Sequence, residues 1–287
     1  MKTTTKLRAA FVGAVVACAV HAPSAHAVEP VAELRLYAMD CGRVHVKDGA
    51  MFSDTGEYDG KPLDVVSSCY LIRHPKGALM WDTGLSDELA KSPAGVDAGG
   101  GNFHLSVKRT LVEQLAQVGM TPADVTFIGF SHLHFDHTGN ANLFTQSTWL
   151  MNKAELDAAL SDPPSGGMDP STISAHKNAK VELLYGDRDV FGDGSVRILL
   201  APGHTPGHQV LLLHLAKAGA VVLSGDLYHT QENRTEHRVP LINTSRADTL
   251  ASFDRVEKIV KNQKARFVIQ HVPEDLAALP RFPDYLK

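Results

Sequence analysis

Short apolar or alternating runs recur along most of the chain, and a few longer segments have the spacing of amphipathic helices. The short runs predict strands, because side chains two residues apart in an extended backbone share one face. Helical spacing occurs at residues 105–118, 153–160 and 247–262. Strands and helices that alternate without a repeat or a linker predict one α/β domain. The predicted strands are residues 31–39, 65–73, 78–81, 125–130, 148–151, 181–184, 196–200, 209–215, 221–224 and 267–270.

Three stretches rich in Gly, Ser, Asp and Pro separate some of these elements, at residues 47–62, 86–102 and 161–174. Their composition predicts long loops. Loops of this length in a compact domain usually contribute to function. We therefore expect them to take part in a functional site.

The first 27 residues have the organisation of a secretory signal peptide. Basic residues up to Arg8 precede an apolar run at residues 9–20, and Ala25-His26-Ala27 forms a small-x-small cleavage site. The apolar run is too short to span a bilayer. We expect a mature domain at residues 28–287, exported to the periplasm or secreted. A lipid anchor on Cys18 is the alternative, because residues 15–18 resemble a lipoprotein processing box.

Export would place Cys41 and Cys69 in an oxidising compartment, where a disulfide persists. Both residues lie in or beside predicted strands. A bridge would close a loop of about 29 residues and stabilise the fold by roughly 3 to 4 kcal/mol. Two separate buried thiols are the alternative, because neighbouring strands need not meet the geometry of a bridge.

The charge balance and the histidine content narrow the function. The chain has 28 Lys and Arg against 32 Asp and Glu, and three of the basic residues precede Ala27. The remaining domain is acidic, which argues against nucleic acid as a partner because phosphate binding needs the opposite sign. The chain also contains 15 histidines without a His-rich tract. Metal ligation is the common reason for such an excess.

A dense group of candidate ligands follows the predicted strand at residues 125–130. In an extended backbone His132 and His134 point the same way, so both can reach one metal ion. Asp136 and His137 come next on a turn, which can direct them to a second ion. This spacing is a specific signal for a metal site. The full run is Ser131-His132-Leu133-His134-Phe135-Asp136-His137.

This His-x-His-x-Asp-His run resembles the metal motif of the metallo-β-lactamase superfamily. Four further pieces occur in the order typical of that superfamily, so the resemblance covers almost the whole mature chain. It implies an αββα sandwich, in which two mixed sheets pack face to face, helices cover the outer faces and the metals bind at one edge. The four pieces are Asp82-Thr83-Gly84, Gly203-His204, Gly225-Asp226 and Gln270-His271.

The resemblance also implies two metal ions, a set of ligands and their supporting residues. Imidazoles with carboxylates favour zinc, while manganese, iron or cobalt would also be accepted. The side chains of Asp82 and His208 would support the ligands through hydrogen bonds. The implied ligands are His132, His134 and His204 for one ion, Asp136, His137 and His271 for the other, and Asp226 between the two.

Two close metal ions lower the pKa of a shared water toward neutrality, which provides a nucleophile without a Ser or Cys elbow. The expected reaction is therefore metal-assisted hydrolysis. Residues 132–140, 201–209 and 230–233 look most like those of N-acyl homoserine lactone lactonases. Organophosphate or ester hydrolysis and β-lactam hydrolysis are the alternatives on the same fold. A non-enzymatic periplasmic metal-binding protein is a third.

For a lactone substrate, Asp136 would protonate the leaving oxygen. Relatives often have Tyr three residues after the bridging Asp, where this chain has His229. If residues 230–233 set the alignment with these relatives, His229 would hydrogen-bond the developing oxyanion while Tyr228 points elsewhere. If the alignment is shifted by one residue, Tyr228 becomes the candidate.

The acyl tail needs an apolar channel. Met51, Phe52 and Phe103, on or beside the long loops, are candidates for its wall. The sequence does not set the acyl-chain preference or the oligomeric state.

Overall fold

The computed structural model describes residues 33–287 together with Met1, Thr3 and Val31. Thirteen strands in this part of the chain form two sheets, of eight and five strands. The first eight strands are β1 Arg35–Val46, β2 Leu63–His74, β3 Gly77–Trp81, β4 Val96–Ala98, β5 Phe103–Ser106, β6 Phe127–Gly129, β7 Thr148–Asn152 and β8 Lys180–Leu184. The other five are β9 Arg188–Asp189, β10 Val196–Leu200, β11 Gln209–Leu215, β12 Gly219–Leu223 and β13 Arg266–Val268.

Both sheets are mixed. The larger has the order β4-β5-β1-β2-β3-β6-β7-β8, and its strands β3, β6, β7 and β8 run parallel to one another. The smaller has the order β13-β12-β11-β10-β9, in which only β12 and β13 are parallel. Parallel neighbours end at the same edge of a sheet, which becomes important for the site.

The two sheets pack face to face because central strands of each are apolar on both faces. On β3, Leu79 and Trp81 enter a core shared with Leu211 and Val221 of the smaller sheet. Met80, between them, points to the opposite face and packs in a second core. This alternation has period two, and it places one hydrophobic layer between the sheets and another outside.

Helices cover both outer faces. Leu111 and Leu115 of α1 (Leu111–Gln117) pack on the outer side of the larger sheet, and Phe253 and Val256 of α5 (Arg246–Gln263) pack on that of the smaller sheet. The αββα sandwich that the resemblance implied is therefore confirmed. The α-helices are α1 Leu111–Gln117, α2 Phe135–Thr138, α3 Lys153–Ala159, α4 Gln231–Thr235, α5 Arg246–Gln263 and α6 Pro273–Ala277. Short 3-10 helices are Ala50–Phe52, Asp87–Lys91, Gly99–Gly101, Pro122–Asp124, Ala141–Leu143, Pro170–Lys177 and Gly225–Leu227.

The predicted helix at residues 105–118 was wrong in its first half. Leu105 belongs to β5 and pairs with Val44 of β1. The helix begins only after Thr110, whose side chain accepts a hydrogen bond from the Glu113 amide while the Glu113 side chain accepts one from the Thr110 amide. This capping box fixes the helix start. The edge pairing of β5 is a tertiary contact that local periodicity does not report.

Three short strands were also missed. β4, β5 and β9 have four residues or fewer and lie at or near sheet edges. The three segments predicted as loops, residues 47–62, 86–102 and 161–174, each contain part or all of a 3-10 helix, and the second also contains β4. The ten predicted strands each overlap an observed one, because each lies in or beside a continuous or alternating apolar run.

Cys41 of β1 and Cys69 of β2 form a disulfide, with Cα atoms 5.8 Å apart. The bridge lies in the core on the outer side of the larger sheet. Of the two alternatives that the sequence left open, the structure has the bonded one. The Ala27 cleavage site and Cys18 lie outside the described residues. Within the described part, no helix has the length and apolar character needed to cross a membrane.

Candidate metal centre and its cavity

The implied ligands come from connections that the topology brings to one place. Asp226 and His271 follow β12 and β13, and these strands are parallel neighbours, so both residues emerge at the same edge. His204 lies in the β10–β11 connection, and β11 begins beside the end of β12. The segment after β6 reaches this group from the larger sheet. The Gln209 amide donates a 2.8 Å hydrogen bond to the carbonyl of Ser131, which joins the two sheets here.

Three histidines and one carboxylate form the first cluster. His204 Nε2 lies 3.2 Å from His132 Nε2 and 3.2 Å from His134 Nδ1. Asp226 Oδ2 lies 3.3 Å from His204 Nε2 and 3.6 Å from His132 Nε2. All four ligand atoms lie within 4.8 Å of one another. This is the donor set and the spacing that a tetrahedral ion requires.

The second cluster uses the other oxygen of the same aspartate. Asp226 Oδ1 lies 3.1 Å from His137 Nε2 and 3.0 Å from His271 Nε2. Asp136 Oδ2 completes the group, at 3.7 Å from the His137 nitrogen and 3.6 Å from the His271 nitrogen. Each carboxylate oxygen of Asp226 therefore faces one cluster, as a bridging ligand would.

The remote nitrogens of the imidazoles are fixed by hydrogen bonds. His134 Nε2 donates to the carbonyl of Gly166 at 2.9 Å, and His271 Nδ1 donates to that of Val66 at 2.9 Å. A carbonyl can only accept, so in each neutral ring the nitrogen facing the cluster keeps its lone pair for a metal. The other remote nitrogens lie near Ser131 Oγ (His132), Asp82 Oδ2 (His137) and Asn243 Oδ1 (His204).

The chemistry of the cluster also fits bound cations. In the first cluster, burial lowers the pKa of His132 and of His204 well below the ordinary value for histidine, which favours the neutral ligand form. In the second cluster, burial would lower the pKa of His137, but the nearby carboxylates, that of Asp226 first, raise it well above its ordinary value. Burial alone would raise the pKa of the Asp226 carboxyl, but the surrounding histidines, His271 first, hold it well below its ordinary value. Asp226 Oδ1 is buried without a hydrogen-bond partner in the described part of the chain. A cation between the clusters would satisfy that oxygen.

Asp82 supports the second cluster from behind. Its backbone is in the left-handed region, with φ of 54°. This conformation lets Oδ1 accept a 2.7 Å hydrogen bond from the Ser131 amide, while Oδ2 lies 3.0 Å from His137 Nδ1. Gln270 Nε2 donates to Oδ2 at 2.7 Å. Left-handed backbone outside glycine is costly and persists where the surrounding contacts enforce it. Here those contacts orient a metal-ligand candidate.

His208 contacts the backbone of Asp226 rather than facing the clusters. Its Nδ1 donates to the carbonyl of Ala201 at 2.9 Å, and its Nε2 accepts from the Asp226 amide at 2.9 Å. Burial lowers the pKa of His208 to about 4, so the ring is neutral and can accept through Nε2. The ring therefore fixes the backbone from which the Asp226 carboxylate projects.

A cavity of about 330 Å³ opens directly onto the clusters. Met51, Phe52 and Phe103, the three residues predicted for a substrate channel, all lie on its wall. Asp136 and His229 are among the polar residues at its metal end. The volume is in the range of small-molecule sites. The rest of the wall is Val44, Val46, Val65, His134, Phe135, Gly166, Gly167, Asp226, Ile242 and His271.

His229 and Tyr228 point in opposite directions. His229 is 2% exposed, with Nε2 3.0 Å from Asp226 Oδ2 and its ring stacked on that of His271 at a centroid distance of 5.6 Å. Tyr228 packs on Phe253 of α5, and its hydroxyl lies 3.3 Å from Glu257 Oε1. The structure therefore brings His229 into the site and leaves Tyr228 outside it.

Sequence reasoning missed residues whose contacts come from distant segments. The motif Gln270-His271 does not indicate that the Gln270 side chain reaches Asp82, and nothing in the sequence marks Asn243. Glu155 was missed because Asn152-x-x-Glu155 at the start of α3 is typical of an ordinary capped helix. Its carboxylate is buried instead, and burial raises its pKa to about 7. A buried acid in a helix that also has an exposed acid, Asp157, leaves no signal in a single sequence.

Two packed mixed sheets with a histidine and carboxylate centre at one edge define a class of metal-dependent hydrolases. The chain belongs to the metallo-beta-lactamase superfamily, which matches residues 63–271. The expected membership, and with it the expectation of a hydrolase, is confirmed.

Proteins of similar sequence include lactonases. N-acyl homoserine lactonase AttM of Azorhizobium caulinodans is 30% identical over 264 residues, which cover 88% of this chain and 98% of the relative. N-acyl homoserine lactonase AiiA of Bacillus thuringiensis subsp. kurstaki is 29% identical over 256 residues, with coverage of 88% and 98%. A solved N-acyl homoserine lactone hydrolase has the product N-hexanoyl-L-homoserine bound at its catalytic metal centre. It superposes with a TM-score of 0.77 at 28% identity, covering 90% of this chain and all of that one.

Proposed function

We propose that this enzyme hydrolyses the lactone ring of N-acyl homoserine lactones with the help of two divalent metal ions. The observation that supports this most strongly is the continuity between the apolar cavity and the two clusters. An acyl chain can lie against Met51 and Phe103 while the ring reaches Asp226. The names of the relatives point to the same substrate class.

When bound, two divalent ions supply Lewis acidity and bring the pKa of water toward neutrality. We propose zinc, because five of the seven ligand candidates are imidazoles. Manganese, iron and cobalt are the alternatives that the same donors accept. The protein contributes the orientation: each imidazole is held by a hydrogen bond at its remote nitrogen, so ligand geometry is set before an ion arrives.

Hydrolysis adds one water to the substrate. The bond between the carbonyl carbon of the ring and the ring oxygen breaks. The hydroxyl joins that carbonyl carbon, and the remaining proton goes to the ring oxygen. Asp136 is the carboxylate placed to hold that proton, because it lines the cavity and its side chain is 15% exposed. Asp226, at 4%, is shielded between the clusters.

His229 orients the substrate in this proposal. His229 Nε2 lies 3.0 Å from Asp226 Oδ2, and in this proposal Nε2 is the donor of the ring because a carboxylate oxygen can only accept. This N–H is directed at the metal end of the cavity, where it meets both the bridging carboxylate and the space for a substrate oxygen. Phe52 packs on the other side of the ring at 5.0 Å between centroids and holds its position.

We also propose that the protein acts outside the cytoplasm, as a periplasmic or secreted enzyme cleaved after Ala27. The basic and apolar N-terminus supports this, and the Cys41–Cys69 disulfide fits an oxidising compartment. N-terminal sequencing of the protein recovered from a periplasmic extract tests it. A mature N-terminus at Cys18 with attached lipid would replace soluble export by the lipoprotein alternative.

One assay tests the reaction. The metal-loaded protein is given N-acyl homoserine lactones of short and long chain, a chromogenic β-lactam and an aryl phosphotriester, and the products are identified by mass. We expect the open acid, heavier by one water and with the amide intact. Intact lactones of every chain length, together with fast cleavage of another substrate, would move the function to that substrate. No turnover of any of them would favour a metal-binding role.

A further inference from the structure

Glu155 is a buried carboxylate that belongs to neither metal cluster and does not line the cavity. It lies in the first turn of α3 and is 2% exposed. A carboxylate is rarely buried without compensating partners. Its partners here are two backbone amides: Leu133 N–H donates to Oε1 at 2.9 Å, and Gly207 N–H donates to Oε2 at 2.8 Å.

These two amides belong to the two segments that hold the first cluster. Leu133 lies between His132 and His134, and Gly207 lies three residues after His204. The first segment follows β6 of the larger sheet, and the second connects β10 to β11 of the smaller sheet. Glu155 therefore ties together, across the two sheets, the loops that supply all three histidines of one cluster.

The packing around Glu155 leaves its carboxylate little freedom. The Asn152 side chain accepts hydrogen bonds from the Ala154 amide at 2.9 Å and from the Glu155 amide at 3.4 Å, which fixes the first turn of α3. On the opposite side, a Cβ added to Gly207 would come within 2.6 Å of the Glu155 Cβ. Only glycine allows the loop to approach this closely.

We propose that Glu155 is a positioning residue for the His132, His134 and His204 cluster, and that its two oxygens set the distance between the loops and so the affinity for the first ion. A carboxylate suits the task because it accepts at both oxygens and donates at neither. A glutamine would accept at one oxygen and turn its NH2 group toward a backbone N–H. The second cluster should be less affected, since its histidines are held by Asp82 and Val66 instead.

The test compares Glu155→Gln with Asp157→Asn, a matched change in the same helix. Asp157 is exposed and pairs with Lys153 at 2.7 Å. We expect Glu155→Gln to keep its circular dichroism spectrum but to bind one of its two ions about tenfold more weakly or worse, the usual effect of removing a support for metal ligands. After dialysis against a weak chelator it should retain close to one ion. Asp157→Asn should retain as much metal as the unmodified protein.

Cobalt absorption identifies which ion is lost. The spectrum of cobalt-loaded Glu155→Gln should resemble that of His204→Ala, which damages the first cluster, and not that of His271→Ala, which damages the second. Glu155→Asp separates charge from position: it keeps a buried carboxylate but is one methylene too short to reach both amides. We expect Glu155→Asp to show the same selective loss of affinity for the first ion. Wild-type affinity in Glu155→Asp would show that charge alone matters, contrary to the proposal.

Three other results would overturn it. Unchanged affinity for both ions in Glu155→Gln would make Glu155 a packing residue only. Equally weakened binding of both ions with an intact fold would show a general effect on the domain. Failure of both Glu155→Gln and Glu155→Asp to fold would show the same. Metal binding is measured without substrate, so a failure of the proposed lactonase activity would leave this inference standing and is distinguishable from it.

Discussion

Replacing His229 by Phe removes one N–H from the metal end of the cavity while preserving a planar ring. The ring contacts with His271 and Phe52 can be kept, because Phe fills similar space. The lost group is the Nε2 nitrogen, which lies 3.0 Å from Asp226 Oδ2 and which we propose as the donor. None of the seven ligand candidates is altered. The substitution therefore tests a donor and spares the ligand set.

The size of the effect follows from the number of hydrogen bonds removed. Loss of one preorganised donor to a developing oxyanion lowers kcat by roughly ten- to a thousandfold. This corresponds to about 1.4 to 4 kcal/mol of transition-state stabilisation. We expect a fall in kcat within this range for short-chain N-acyl homoserine lactones, with close to two metal ions still bound. His229→Tyr should recover part of the rate, because a phenol hydroxyl can donate a similar bond.

The assay combines steady-state kinetics with metal analysis of the same samples. Tyr228→Phe is the comparison, since its hydroxyl faces Glu257 on α5 and should leave kcat near that of the unmodified protein. Wild-type kcat in His229→Phe would refute the donor role. Loss of one ion in that variant would instead make His229 a ligand, a role for which its proximity to Asp226 and His271 also provides the geometry.

Three further outcomes are expected. Asp226→Ala should bind fewer than two ions and lose nearly all activity, because both clusters share its carboxylate. Metal analysis and kinetics of this variant check the prediction, and full activity would show the bridging assignment to be wrong. Phe103→Ala should lower kcat/KM for long-chain lactones by about tenfold, through the loss of apolar contact, and leave short-chain lactones unaffected; an equal effect on both would contradict a role in chain binding. Replacing Cys41 and Cys69 together by Ser should lower the free energy of unfolding by roughly 3 to 4 kcal/mol in denaturant titration, and an unchanged value would show that the bridge does not form in solution.

Much of the metal centre could be read from local sequence. The pair His132 and His134 is two residues apart after a strand, so its common direction follows from backbone geometry alone. His204, Asp226 and His271 were assigned through the order of family motifs, and the structure brings His204 and Asp226 to that pair and His271 to the neighbouring cluster. The long buried strands were also predictable, because their apolar runs are continuous.

Only the tertiary structure decided how that centre is supported. The partners of the remote nitrogens, such as Asn243 and Gly166, come from segments far away in the chain. The choice between His229 and Tyr228 depended on which side of one backbone faces α5. Glu155 could not be distinguished from a surface helix acid, because its role exists only where two sheets bring Leu133 and Gly207 to the same carboxylate. The sequence determines which groups can bind a metal, but hydrogen bonds between distant loops form only when the two sheets pack together.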